Sequence, residues 1–419
     1  MTGETPGTAP TNAAAGPTAP ASGTAPSYKG SYIFSLEGLR AVAALGVVVT
    51  HVAFQTGADP ATFLGSLSAR FDFFVAVFFA LSAFLLWRRH RTDRTLARAG
   101  RYYVNRAGRI LPAYLVCVAA VILLLPDAAG MSGTQIAANL TLTQIYVADG
   151  LAPGLTHLWS LSVEVAFYLV LPVLALTVGR LSRRARVGVF LAAAVVSLGW
   201  AWLPFVESTP APGVANRQIW PPAYVCWFAV GLLAAEAEGR VPAWCERVFR
   251  VRPLWWVLAL VVAWVAGQEW FGPLGLVHPS PGEFTARVLA GTAFAALLVV
   301  PYALAPGPGL LTSGVMQALG RWSYSIFLWH LAVLAVVFPL AGQGLFQGGF
   351  WLVLALTAVG TVPVAAASYV LVEDPARWAV RRLRGPREAA RRAGNPGGAG
   401  SRQASAAAQT SETNPASPA

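Results

Sequence analysis

Charge is what this sequence has least of. Only 11% of its residues are Asp, Glu, Lys or Arg, against about 25% in an ordinary soluble domain, which excludes a water-soluble enzyme. Cysteine is scarce too: Cys117, Cys226 and Cys245 are the only three in 419 residues, too few and too scattered for a disulfide framework or a zinc site. The GxSxG elbow, the Walker loop, HExxH and CxxC are all missing. Lysine is nearly absent, so 29 of the 30 basic residues are arginine, and with 18 acidic residues the net charge is +12.

What the sequence has in abundance is apolar surface, at 56% of residues, more than one globular core can hide. Ten apolar runs can be read, near 36–55, 71–88, 107–126, 156–178, 186–205, 218–237, 253–271, 284–304, 319–340 and 349–372. Each is long enough to cross a bilayer as a helix and too uniformly apolar for a barrel strand. The expected fold is therefore an all-α polytopic membrane protein of about ten transmembrane helices. Residues 1–30, rich in Ala, Thr, Pro and Gly, read as a disordered leader. Residues 31–375 form the membrane domain, and 376–419 read as a basic, then disordered, cytoplasmic tail.

The arginines test this topology. Eight follow the second run, four follow the fourth, four follow the sixth and eight lie in the C-terminal segment, whereas the opposite loops hold only Arg70, Arg217 and Arg287. Loops rich in Arg stay on the cytoplasmic side, so both termini are expected there. The positive charge then records topology and does not point to nucleic acid.

Ionisable groups inside spans are costly and are functional candidates by default. Arg40 and His51 lie eleven residues apart on the first run, on one face and about 16 Å apart along the axis. Ala44 and Val47 lie between them and leave a path for a slender acyl chain. On the fourth run His157, Ser160, Glu164 and Tyr168 share a face. A histidine on one helix and a carboxylate on another suit a general base and its orienting partner. Arg106 and Arg109 present two guanidinium forks on one face, suited to phosphates. His330 has no acid nearby in sequence and reads as a helix-packing hydrogen bond. Asp72 reads as a cap at the outer edge. Structural readings stand beside these: Glu37 and Arg40 as an interfacial pair, Glu164 in a bond between helices, and the arginines as anchors for anionic lipid. The same buried Arg, His and Glu would also serve a transporter or lipid flippase, although that class predicts paired repeats with interrupted helices, and none is evident.

Five runs, LEGLRAVAALGVVVTH, FFALSAFLL, RAGRILPAY, HLWSLSVEVAFYLVLP and LGRWSYSIFLWH, occur in the order in which the acyltransferase 3 family of integral membrane O-acyltransferases carries them. The chain resembles that family over residues 33 to about 375. The resemblance implies transfer of an acyl group, commonly acetyl, from cytoplasmic acyl-CoA to a hydroxyl of a sugar, cell-envelope glycan, lipid or macrolide. It implies catalytic roles for His51, as base or acyl carrier, and for Glu164, which would hold it. Arg40, Arg106 and Arg109 would bind acyl-CoA. Supporting candidates are Asp72, Ser82, Tyr114 and His157, together with Ser160, Tyr168, Ser323 and His330. No bound cofactor or metal is expected; acyl-CoA, with acetyl-CoA foremost, is the donor substrate. The expected location is the plasma membrane, the inner membrane of a bacterium. Two positions depart from the family pattern: Ala83 stands where a glycine is usual, and Ala76 where many members have an acid.

Overall fold

Helix starts are written into the local sequence. In the computed structural model of the protein, Thr95, Ser182 and Ser313 each accept a hydrogen bond from the backbone amide three residues on. Ser280 does the same within a full capping box with Glu283, which satisfies amides that the helix itself leaves unpaired. The structure describes residues 32–275 and 277–382. The leader and the tail beyond 382 lie outside the described residues.

The long helices are α1 (Phe34–Thr56), α2 (Phe74–His90), α3 (Leu96–Leu124), α4 (Trp159–Leu176) and α5 (Arg183–Ser197). They are followed by α6 (Val225–Ala237), α7 (Arg252–Ala266), α8 (Pro281–Leu304), α9 (Gly314–Leu340) and α10 (Phe350–Ser368). A π-helical turn, Tyr369–Glu373, joins α10 to a last helix, α11 (Asp374–Arg382). Among the described residues there is no β-strand, only an isolated bridge between Ala211 and Val214.

Every apolar run of the sequence has become a helix, but not all ten are equal. Eight helical segments are long and apolar enough to cross a membrane. The seventh run is a broken pair, Ala243–Phe249 and α7, bent by 66°, which makes a ninth if the pair is one span. The sixth is a shorter apolar helix over Pro221–Ala237, near the lower limit for a span. The protein is thus an all-α polytopic membrane protein.

Burial sorts these helices into an inside and an outside. Among the eight long segments α1 and α2 are the most enclosed, whereas α5 and α10 leave most of their surface uncovered. The uncovered residues include Val195, Val196, Trp351 and Val359, apolar side chains suited to a lipid face. α6 packs between α2 and α8, and is nearly all buried. Its approach to α2 depends on Gly231: a Cβ there would meet the Ala80 carbonyl oxygen at 1.9 Å. Gly320 plays the same part between α9 and α1, against the Glu37 carbonyl oxygen. Small residues at such crossings let two backbones close up, the main source of packing energy between helices in lipid. Buried Glu236 at the end of α6 accepts from Trp87 Nε1 (2.7 Å) and Arg186 Nη2 (2.7 Å), tying α6 to α2 and α5.

Gly→Ala in a helix interior ordinarily gains up to about 1 kcal/mol of propensity. Gly188→Ala on exposed α5, where nothing lies within 4 Å, is expected to hold or raise the Tm of the detergent-purified protein. Gly231→Ala is expected to lower it, since overpacking costs about 1–3 kcal/mol. Equal Tm values for the two variants would contradict the close α2–α6 contact.

Candidate functional site

Most of the candidate side chains collect at two levels along the bundle. The first is at the arginine-rich end. Arg40 on α1 donates from Nε to Ser323 Oγ on α9 at 3.3 Å. Glu164 on α4 accepts from Ser82 Oγ on α2 and from the Tyr168 hydroxyl one turn on, at 2.5 Å. Arg106 on α3 lies with its Cζ 5.5 Å from the centre of the Tyr168 ring and 6.0 Å from that of Tyr102, so guanidinium, phenol, carboxylate and serine form one connected group. Arg109, one turn further along α3, lies within electrostatic reach of Arg40, Arg106 and Arg377.

Arg377 and its partner extend this level beyond what the sequence suggests. Glu373, in the π-helical turn, is 1% exposed. It accepts from Ser325 Oγ on α9 and from Arg377 Nη2 on α11, the latter at 2.7 Å. π-helical turns inside helices are frequent at functional sites, and here the turn seats a carboxylate within electrostatic reach of Arg109 and Arg40. The cluster therefore sets four guanidinium groups against two carboxylates. Arg106 Nε and Arg377 Nε are buried and have no hydrogen-bond partner. In sequence Arg377 falls in the basic tail and Glu373 carries no expected role. The signal was an acid at the end of an apolar run with a cation four residues on.

The second level lies further along the same helices and holds three histidines. His51 Nδ1 lies 2.8 Å from the Val47 carbonyl oxygen and 3.2 Å from His330 Nε2. His330 Nδ1 donates to the Phe327 carbonyl at 2.7 Å, and His157 Nε2 to the Leu328 carbonyl at 3.2 Å. The ring centres of His330 lie 4.9 Å from those of His51 and 4.7 Å from those of His157. His51 and His157 are 6.3 Å apart. His157 and His330 are 2% and 0% exposed.

This arrangement corrects one expectation. Glu164 does not hold His51; its carboxylate is taken by Ser82 and Tyr168, and the neighbour of His51 is His330. The reason is axial. Seven residues separate His157 from Glu164, about 10 Å of helix, so with His157 beside His51 the carboxylate falls at the level of the arginines. His330, read in the sequence as a packing residue, belongs to the imidazole cluster through a contact that spans 279 residues of chain.

The supporting candidates divide. Ser82, Tyr168 and Ser323 join the arginine level, and His157 the imidazole level. Ser160 returns its hydroxyl to the His157 carbonyl at 3.1 Å. Tyr114 is fully buried and donates to the Asn139 carbonyl, an anchor for α3 apart from both clusters. Asp72 pairs loosely with Arg70, Oδ2 to Nη1 at 4.0 Å, away from the histidines. Ala44 and Val47, expected to flank an open path, are 0% and 1% exposed and packed into hydrophobic clusters. Ala83, in place of the usual glycine, is wholly buried in α2. Among the described residues no group of three or more His, Cys, Asp or Glu is arranged to hold a metal ion.

Comparison with known proteins agrees with this picture of a membrane enzyme. The acyltransferase 3 profile, described as an acyltransferase domain, matches residues 33–370. Nodulation protein 10 of Rhizobium leguminosarum bv. viciae is 29% identical over 339 residues, covering 72% of this chain and 81% of that protein. Acyltransferase MdmB of Streptomyces mycarofaciens is 29% identical over 390 residues, covering 81% of this chain and 90% of that protein. A Staphylococcus aureus (strain COL) protein with O-acetyltransferase in its name is 24% identical over 392 residues, 83% of this chain but 57% of that longer protein. No solved structure matches the chain. With the profile running from α1 into the π-helical turn, over most of the chain, the chain belongs to the acyltransferase 3 family and is a multi-pass membrane acyltransferase.

Proposed function

We propose that this protein transfers an acyl group, acetyl foremost, from cytoplasmic acyl-CoA to a hydroxyl of an acceptor reached from the other side of the bundle. The observation that carries this reading is the two-level site. Four guanidinium groups, two with buried unpartnered Nε atoms, face two carboxylates at one end. That excess of donors suits the phosphates of CoA, which guanidinium forks bind through charge-assisted hydrogen bonds. Arg40 and His51 on α1 are separated by about 16 Å, the distance a donor held by its phosphates at the first level spans to present its thioester to imidazole at the second, once the side chains packed around Ala44 and Val47 give way.

The chemistry asked of His51 is modest. As a base it takes the proton of the acceptor hydroxyl; the alkoxide oxygen then bonds to the thioester carbonyl carbon, the C–S bond breaks and the CoA sulfur leaves with the proton. As a carrier, the imidazole nitrogen bonds to the carbonyl carbon while the C–S bond breaks and CoA leaves as thiolate; the acceptor oxygen then bonds to that carbon, the N–C bond breaks to restore neutral imidazole, and the hydroxyl proton goes to the CoA sulfur. Both routes need the reacting atoms held together and water kept away, which a cluster buried among apolar helices favours. Sugars, cell-envelope glycans, lipids and macrolide-like small molecules are the acceptor classes in view. An arginine-rich end facing the compartment that holds acyl-CoA suits a protein of the plasma membrane, the inner membrane of a bacterial cell.

Radiolabelled acetyl-CoA supplied to membranes containing the full chain tests this directly. His51→Ala is expected to cut turnover by at least about 10²-fold, the usual contribution of a general base; retained turnover would overturn its assignment. Arg106→Gln and Arg109→Gln are each expected to raise the KM for acyl-CoA about 10-fold, with a smaller change in kcat, because each removes a charge-assisted contact to the donor. Unchanged KM in both would remove the phosphate site from this end. Mass spectrometry of envelope glycans and secreted metabolites from a deletion strain should show one acyl mass lost, and that mass names the acceptor.

A further inference from the structure

The carbonyl partners of the three histidines fix where their protons sit. A carbonyl oxygen only accepts, so the ring nitrogen facing it must carry the hydrogen. By this rule the neutral His330 is protonated at Nδ1, which donates to Phe327, and His157 at Nε2, which donates to Leu328. His51 is protonated at Nδ1, opposite the Val47 carbonyl. His330 Nε2 is then a bare acceptor 3.2 Å from His51 Nδ1, so the His51 N–H is shared between the Val47 oxygen and the His330 nitrogen. The opposite arrangement, with His330 donating from Nε2, would turn a bare Nδ1 of His330 toward the Phe327 carbonyl and a bare Nδ1 of His51 toward the Val47 carbonyl, two repulsive contacts between acceptors.

We infer that His330 is the positioning residue of His51: by accepting the Nδ1–H it fixes the ring and its tautomer, leaving Nε2 of His51 as the reactive nitrogen. This rests on the proposed acyl transfer and names the atom and the partner on which that transfer depends. In a Ser-His-Asp arrangement a carboxylate does this work; here a second imidazole and a backbone carbonyl share it. When His51 Nε2 takes the hydroxyl proton, the imidazolium keeps its Nδ1–H between the same two acceptors, and no further proton need move. His157 adds an independent sign of the ligand. Its Nδ1 is buried and has no hydrogen-bond partner. Because every N–H in the cluster is already spent on a carbonyl, each remaining ring nitrogen can only accept. A group of acceptors is completed by a ligand that brings hydrogen-bond donors, and an alcohol is such a ligand.

The test uses the full-length protein labelled with ¹⁵N-histidine in nanodiscs. The chain has five histidines, so single substitutions assign every ring signal. In the unsubstituted protein His51 should show a protonated Nδ1 and a bare Nε2. His330→Gln, whose amide oxygen can accept the same N–H, should preserve that signature and most of kcat. His330→Phe should lose the single tautomer at His51 and lower kcat about 10²-fold, the scale of a misplaced reacting group, while the KM for acyl-CoA stays within about threefold because the arginine level is untouched. A His51 protonated at Nε2 in the unsubstituted protein, or equal loss of kcat in His330→Gln and His330→Phe, would overturn the inference. The ring signals are read without turnover, so absence of acyl transfer from any acyl-CoA would sink the proposed function and leave the tautomer assignment to stand or fall on its own.

Discussion

A guanidinium or carboxylate among apolar helices must find partners, because an unpaired charge there costs several kcal/mol even after the surroundings relax. This constraint organises the bundle. Glu164 is held by Ser82 and Tyr168, Glu373 by Ser325 and Arg377, and Arg106 lies beside aromatic rings. These groups come from α2, α3, α4, α9, α11 and the π-helical turn, so satisfying the charges also fixes which helices meet at that end. The pairing is incomplete, with four guanidinium groups against two carboxylates. Donors left over at one end of a membrane domain suit an anion, whether lipid headgroup or substrate.

The histidines solve the same problem differently. Neutral imidazole carries one donor and one acceptor, and each ring here places its N–H on a backbone carbonyl. The cluster can therefore be buried without a carboxylate. Helix rise keeps the two levels apart on three segments at once: Arg40 to His51 on α1, Ser323 to His330 on α9, and Glu164 on α4 back to His157 in the 3-10 turn that leads into it. Seven to eleven residues in each case correspond to about 10–16 Å. The separation follows from the spacing within each helix, and Gly231 and Gly320 let the helices approach closely enough for side chains at equal heights to touch.

Much of the fold was legible in the sequence because a long apolar run in a chain with so few charges has one stable answer in lipid. The ten runs all became helices, and the misfit at the sixth and seventh reflects a short helix and a 66° bend that hydropathy alone does not register. The site residues were legible as ionisable groups inside spans. Their pairings were not, because these depend on which helices pack together and at what height. Glu164 suits His51 by residue type alone, but the two lie at different heights in the bundle. His330 looked idle because its neighbour lies on a helix 279 residues away. Glu373 sits in a π-helical turn at the end of the last run, where sequence pattern blurs span into tail. Its only signal in the sequence is Arg377 at i, i+4.

The division of labour between the two levels is tested most directly by photolabelling the full-length membrane protein with two acyl-CoA analogues, one reactive on the nucleotide and one at the end of the acyl chain. The nucleotide probe should mark peptides carrying Arg106, Arg109 or Arg377, and the acyl probe peptides carrying His51, His157 or His330, each blocked by excess acyl-CoA. Labelling of the arginine-level peptides by the acyl probe, with none at the histidines, would contradict a donor that binds at one level and reacts at the other.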